Sequence, residues 1–500
     1  MRINNIFCTL LLFSFFFLSN HSFANNLILN NSNGISNRQK IYDQESFITI
    51  EQTNYKIVFT NKGAAIKSWA IRENNGHWLE LLNPHLTNFI SNFEDCIYKI
   101  IFSSNNKICF EYVSPKGWRI VKTYYLSSCG NMHNVTFVID RIKPNIQLPT
   151  LELNFNSLNI LNNKSEINHG NTSKILICSQ VKPNNVKLLK YSKVLYGSLY
   201  KWIAFSNRYF VFALIPNKSS DFDQINIIKN VKPLHYHIKF KANNTLNKYN
   251  YSVNFFVGPK LYKSLKSYNL NLEKVIDFGF FSFLGKPIFL ILLSLHKLTN
   301  NYGWAIILLT IIMQLLMLPL TLKSFKSLIT MKHIQPKIQN IQQQYSDNSK
   351  QMQMEILNIY KTQQINPLSG CLPTLLQLPI FWAFFTILRN VYELHNESWI
   401  LWIRDLSSPD KLINIGNFYI NALPIIMGII MFAQQKITST TSDLSSYKKM
   451  MYIMPMLFTA MFWSFPSGVI IYWIINSIFS LLEQCYILKK NSSGRDGRAA

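Results

Sequence analysis

Gln314 lies in the run NYGWAIILLTIIMQLLMLPLTL, residues 301–322, among leucines, isoleucines and methionines that offer no hydrogen bond. Thr310 is four residues away, so on a helix the two share a face and could line one wet surface. Gln377 in LLQLPIF stands alone in an apolar stretch, and Gln434 and Gln435 close another. In VIIYWII, Tyr472 and Trp473 are followed by Asn476 one turn later. A polar residue in such a run is either a bridge between helices or the lining of a hydrated path. For the two aromatics, core packing is the plain alternative. His235 and His237 share one strand face, but no third ligand is in view, so metal binding is the weaker reading.

The elements that must position these residues belong to two different solvents. Hydrophobic residues make up 48% of the 500-residue chain and charged ones only 15%, which leans away from an ordinary soluble enzyme. Lys and Arg number 50 against 24 Asp and Glu, a net charge of +26. Such a balance suits an anionic membrane surface or nucleic acid. The basic residues are scattered without an Arg-rich stripe or zinc spacing, so nucleic-acid binding is disfavoured. Residues 1–24 carry Arg2, an apolar run from Ile6 to Leu18 and a small-x-small Ser22-Phe23-Ala24, an export signal either cleaved or kept as an anchor.

Residues 25–275 alternate Val, Ile, Tyr and Phe at period two in runs such as YKIVFT, HNVTFVID and YSVNFFV. The pattern predicts a large exported all-β sandwich. Cys96, Cys109, Cys129 and Cys178 fall in it. An oxidising compartment would allow disulfides, while four buried thiols are the plainer reading. Residues 276–300 are interrupted by Gly285, Lys286 and Pro287, and are read as an amphipathic helix lying at the membrane interface. From 301 to 488 five stretches can cross a bilayer: 303–322, 371–388, 418–434, 450–465 and 468–486. Pro319, Pro373, Pro379 and Pro424 are expected to bend these helices. No carboxylate of the kind that couples ions is read in the spans, and repeated halves are missing, which counts against a secondary transporter.

Residues 323–368 repeat Ile334, Ile338, Ile341 and Tyr345, break at SDNS, and resume with Met352, Ile356 and Tyr360. This is a helical hairpin. It carries Lys332, Lys337 and Lys350 among other basic residues, and the 435–449 loop and the 489–500 tail are basic as well. Positive-inside logic puts all three in the cytoplasm and the β domain outside. Lipid headgroups, a ribosome or incoming chains are what the basic side of the hairpin could meet.

Taken in order, NYGWAIILLTIIMQLLMLPLT, IQPKIQ, NPLSGCLPTLLQLPIF, WIRDLS and FPSGVIIYWIINS resemble the YidC membrane protein insertase family. WIAFSNRYFVFALIP and NFFVGPKLY resemble the periplasmic domain of its Gram-negative members. The resemblance implies a bacterial inner-membrane protein with a core of five helices around a hydrophilic groove, closed outward. It implies nascent membrane proteins as substrates, the Sec translocon as a partner, and no consumed nucleotide or metal. It also implies that Tyr472 and Trp473 touch passing substrate. The family carries an arginine in the groove where this chain has Gln314. Glutamine keeps the donors and acceptors that hold water and drops the charge, so the resemblance predicts a hydrated groove with a weaker pull on acidic segments. An exported carbohydrate-binding domain on a membrane anchor is the other alternative to the insertase reading. It would be supported by paired carboxylates in the strands, which hold few acids.

Overall fold

The computed structural model describes residues 44–496, except 74–75, 83–89, 145, 157–173, 181–185, 190–192, 197–198, 218–221, 229–234, 241–246, 347, 364–371, 416–417 and 439–444. The export signal or anchor expected at 1–24 lies outside the described residues.

Strands run from Phe47 to Pro259 and form antiparallel sheets of nine, five and four strands. In Met132–Arg141 the alternation is simple: His133, Val135, Phe137 and Ile139 point into the core and their neighbours point outward. Strands Tyr200–Ser206 and Phe210–Pro216 behave differently, because both of their faces are buried. Ile203, Phe205, Phe212 and Leu214 join the sandwich core, whereas Trp202, Ala204, Val211 and Ala213 pack with apolar residues of the helical region. A strand covered on both sides reads as a continuous apolar run, and WIAFSNRYFVFALIP is such a run.

The turn between these two strands ties the sandwich to the helices. Asn207 Oδ1 accepts from the N–H groups of Tyr209 (3.0 Å) and Phe210 (2.7 Å). The Arg208 Nε–H donates to the Arg389 carbonyl at 2.5 Å, which sets a cation at the end of a helix where the dipole favours it. The buried Lys260 ammonium donates to the Asn207 carbonyl at 2.9 Å, and burial pulls its pKa down to about 7.

Helix α1 (Tyr262–Ser267) follows the sandwich, and α2 (Ser282–Thr299) runs along the helical core. The interruption expected at Gly285, Lys286 and Pro287 does not occur: α2 is one continuous helix through all three. Pro287 sits near its start, so only one bond, to the Phe283 carbonyl, is forfeited. Gly285, Ile288, Phe289 and Leu292 face inward, while Phe283, Leu290, Ile291 and Leu298 are exposed. By length and composition α2 is itself long and apolar enough to cross a membrane.

The remaining helices are α3 (Tyr302–Gln344), α4 (Ser349–Thr362), α5 (Leu372–Asn390), α6 (Ala422–Thr438), α7 (Ser445–Met461) and α8 (Ser467–Asp496). Helix α3 opens with Asn301, whose side chain accepts from the Gly303 and Trp304 N–H groups. It then runs unbroken for 43 residues, so the expected span and the first arm of the hairpin are one helix. At 1.5 Å per residue that is about 65 Å, roughly twice a hydrocarbon core. Lys323 marks a change of solvent and not a helix end. Asn348 caps α4, and α4 buries none of its residues. Of the expected proline bends, Pro319 and Pro379 lie inside helices. Pro373 and Pro424 fall in the first turns of α5 and α6, where no N–H is needed, so they start helices and do not bend them.

Three carboxylates fix the side of the bundle next to the sandwich. Asp410 Oδ2 accepts from the Ala422 and Leu423 N–H groups at the start of α6 (2.8 and 3.1 Å) and from Trp402 Nε1 (3.0 Å). Asp405 Oδ1 accepts from the backbone N–H groups of Asn396 (3.2 Å) and Ser407 (2.8 Å). Ser467, first in α8, reaches the carbonyls of Asp405 (2.7 Å) and Ser408 (2.9 Å). Glu393 Oε1 accepts from the Tyr262 N–H at 2.7 Å, while its other oxygen is shut away from solvent without a partner.

Burial lifts the Glu393 pKa from 4.5 to about 7. The folded state then holds the proton more tightly than the unfolded chain, so stability is full below 4.5 and falls as pH rises to 7. One pKa unit is about 1.4 kcal/mol, so the loss is at most about 3 kcal/mol. Glu393→Gln mimics the protonated acid and removes that slope. Thermal unfolding of the detergent-solubilised protein at pH 5 and pH 7 checks this: the wild type loses stability between them and the variant does not.

Candidate functional site

The polar residues of the spans gather on facing helix surfaces. On α3, Thr310 and Gln314 are buried (0% and 8% exposed), and Thr321 and Ser324 continue the same face about two and three turns further along. On α8, Tyr472, Asn476, Ser480 and Glu483 recur at spacings of four, four and three, which draws one stripe down that helix. Helix α3 packs along α8, and α8 also packs on α6.

The contacts differ from residue to residue. The Thr310 hydroxyl donates to the Ile306 carbonyl of its own helix at 2.7 Å, which leaves the oxygen's lone pairs for other use. Gln314 makes no hydrogen bond to any described residue, so among these residues it bridges no helices. Gln377 donates to Asn476 Oδ1 and lies 3.5 Å from the Tyr472 hydroxyl, which joins α5 to α8. Gln434 donates to Ser480 at 3.0 Å and joins α6 to α8. Gln435, singled out from the sequence, has no hydrogen bond to a described residue. Its neighbour Gln434 takes that place, because one step along a helix turns a side chain by 100°.

The aromatics divide. Tyr472 is buried and stacks on Phe384 at 4.8 Å while its hydroxyl joins the polar seam. Trp473 points elsewhere, into a cluster with Phe381 (5.2 Å), Phe458 (5.9 Å) and Phe462 (5.2 Å). Sequence reasoning paired the two; the structure gives Tyr472 to the seam and Trp473 to packing among α5, α7 and the turn after it.

Sequence reasoning also missed Glu483, which is 7% exposed and accepts from the Thr321 hydroxyl at 3.2 Å. A carboxylate therefore does lie in α8, though nothing in its contacts marks it as one that couples ions. The signal was present: Glu483 continues the spacing of Tyr472 and Asn476. Of the hairpin lysines, Lys337 and Lys350 are exposed, and the side chain of Lys332 lies outside the described residues. Away from the bundle, His237 Nε2 is 3.0 Å from the Glu152 carboxylate. No three metal-binding side chains come together among the described residues. The cysteines of the sandwich are all thiols. Contrary to the reading of four buried ones, only Cys178 is buried, Cys96 and Cys109 are partly covered, and Cys129 is exposed.

A β-sandwich packed on a bundle of apolar helices, three of them long and apolar enough to cross a membrane, with polar side chains aligned on facing helices, defines a membrane-protein architecture. Residues 104–291 match the family described as YidC periplasmic domain, and residues 294–494 match the one described as 60Kd inner membrane protein. The membrane protein insertase YidC of Endomicrobium trichonymphae is 48% identical over 90% of this chain and 87% of its own length, and the chain belongs to the YidC membrane protein insertase family.

The YidC of Syntrophobacter fumaroxidans is 37% identical over 57% of this chain and 53% of its own length. Among solved structures, an active YidC insertase with its first transmembrane domain resolved is 18% identical, with 87% of this chain and 91% of that one covered and a TM-score of 0.40. The family is not enzymatic, and neither the transporter nor the carbohydrate-binding alternative finds support among these relatives.

Proposed function

We propose that this chain inserts integral membrane proteins into the bacterial inner membrane and helps them fold, alone or beside the Sec translocon. A polar stretch of the nascent protein enters the seam between α3, α5, α6 and α8 while its apolar segment passes into lipid. The observation that carries this reading is Gln314: buried in a span, sharing a face with Thr310, and hydrogen-bonded to no described residue. An amide in such a setting is costly unless it is hydrogen-bonded, and in a membrane it favours water or a visiting polar group. Gln377, Asn476 and Tyr472 extend the same polar surface, with Gln435 kept as a candidate at its edge. Trp473 is assigned to the wall of the path.

The test is depletion. When this protein is removed from its host, small membrane proteins with short translocated tails should accumulate uninserted, and resupply of the full chain should restore them. Unchanged insertion on depletion counts against the reading.

The basic residues support a cytoplasmic position for the α3–α4 hairpin, with Lys332, Lys337 and Lys350, and for the C-terminus, with lipid headgroups and a ribosome as proposed partners. The sandwich then stands in the periplasm. In intact cells, after native thiols are removed, a cysteine at Ser349 should resist an impermeant thiol reagent and react once the membrane is opened. Ready labelling from outside reverses the topology.

A further inference from the structure

We infer that Glu483 sets the charge preference of the groove, so that it accepts segments bearing Lys or Arg and disfavours acidic ones. This rests on the reading of the polar seam as the substrate path and names the class of segment the path prefers.

The argument starts from an anomaly. Glu483 lies within the apolar segment Ser467–Ile487 of α8 and is 7% exposed. It is the only Asp, Glu, Lys, Arg or His that is buried in helices α3 and α5–α8 among the described residues. Its one partner there is the neutral Thr321 hydroxyl, and no described cation lies within 4.0 Å. Lys323 and Lys436, which close the spans nearby, are both exposed. A carboxylate shielded from water is normally paired, and within a membrane it marks the route of a charged or polar ligand.

Placement gives the ligand. Glu483 stands on the stripe of Tyr472, Asn476 and Ser480, beside the Gln434–Ser480 bond, toward the end of the bundle from which the hairpin extends. Gln314, further along the seam, is neutral. The described groove therefore holds one acid and no base. A Lys or Arg of a passing segment completes the missing pair, and an Asp or Glu meets like charge.

The experiment uses the full chain in cells depleted of other insertases. One small membrane protein is supplied with a neutral tail, a tail of two lysines or a tail of two aspartates. Insertion is scaled to the insertase accumulated in the membrane. In the wild type the lysine tail should exceed the aspartate tail roughly tenfold, as expected for one charge contact worth about 1.4 kcal/mol. Glu483→Gln should bring that ratio close to one, Glu483→Asp should hold it near the wild-type value, and Glu483→Lys should invert it. Asp and Gln each change the side chain slightly, so a difference between these two variants reports charge and not folding. A ratio near one in the wild type, or one unmoved by Glu483→Gln and Glu483→Lys, overturns the assignment. A photo-crosslinker at position 314 separates the two claims. Adducts with an unmoved ratio sink only Glu483, whereas no adduct with any of the tails sinks the groove reading itself.

Discussion

Gln314→Leu lowers insertion of substrates with a polar translocated tail by about five- to a hundredfold. The estimate follows from one buried hydrogen-bonding group lost to a polar segment, about 1–3 kcal/mol, at 1.4 kcal/mol per factor of ten. Leucine is close to glutamine in size and removes the amide that would hold water on the face shared with Thr310. Gln314→Arg is expected to be tolerated, since the resemblance implies an arginine at this position, and to shift preference toward acidic tails. Gln314→Glu separates hydration from charge: neutral tails pass while acidic tails fail. The measurement is insertion of paired neutral and acidic-tailed substrates in cells lacking another insertase. Full activity of Gln314→Leu on both returns Gln314 to a packing role.

Asp410→Ala destabilises the bundle by about 3 kcal/mol or more. Asp410 Oδ2 accepts three hydrogen bonds, two from the first N–H groups of α6 and one from Trp402. Bonds to a charged group are worth about 1.5–3 kcal/mol each, and the carboxylate also sits on the positive end of the α6 dipole. Alanine leaves those donors buried or opens the loop to water. Asp410→Asn keeps an acceptor but not the charge and falls between. Thermal unfolding in detergent checks the order, and proteolysis of the 391–421 segment shows whether that side of the bundle has loosened. Equal stability of Asp410→Ala and the wild type excludes the pinning role.

What could be read from the sequence depended on whether the deciding interaction was local. Val135, Phe137 and Ile139 announce their strand, because one face is buried and the other is wet. The doubly buried 202–215 run announces apolarity but not which residues face the helices. Gly285, Lys286 and Pro287 read as an interruption and residue 322 as the end of a span, yet helices α2 and α3 pass through both. Charge reports the edge of the membrane, and backbone geometry decides where a helix stops. The roles of Asp405 and Asp410 cannot be read from the sequence, since their donors are supplied by segments brought together in the fold. Glu483 was passed over for the same reason. A glutamate near the end of an apolar run reads as exposed until the partner helix that covers it is known. Gln314, Gln377 and Asn476 were legible because a lone amide in an apolar helix is anomalous in any fold.

The most direct test of the polar seam as a substrate path is site-specific photo-crosslinking during translation of a small membrane protein. A probe at position 314 should capture the polar segment of the nascent chain. A probe at Leu316, two residues on and 65% exposed at the outer surface of the same helix, should capture lipid or nothing. Adducts from 314 alone are the predicted result, and equal yields from 314 and 316 would contradict it.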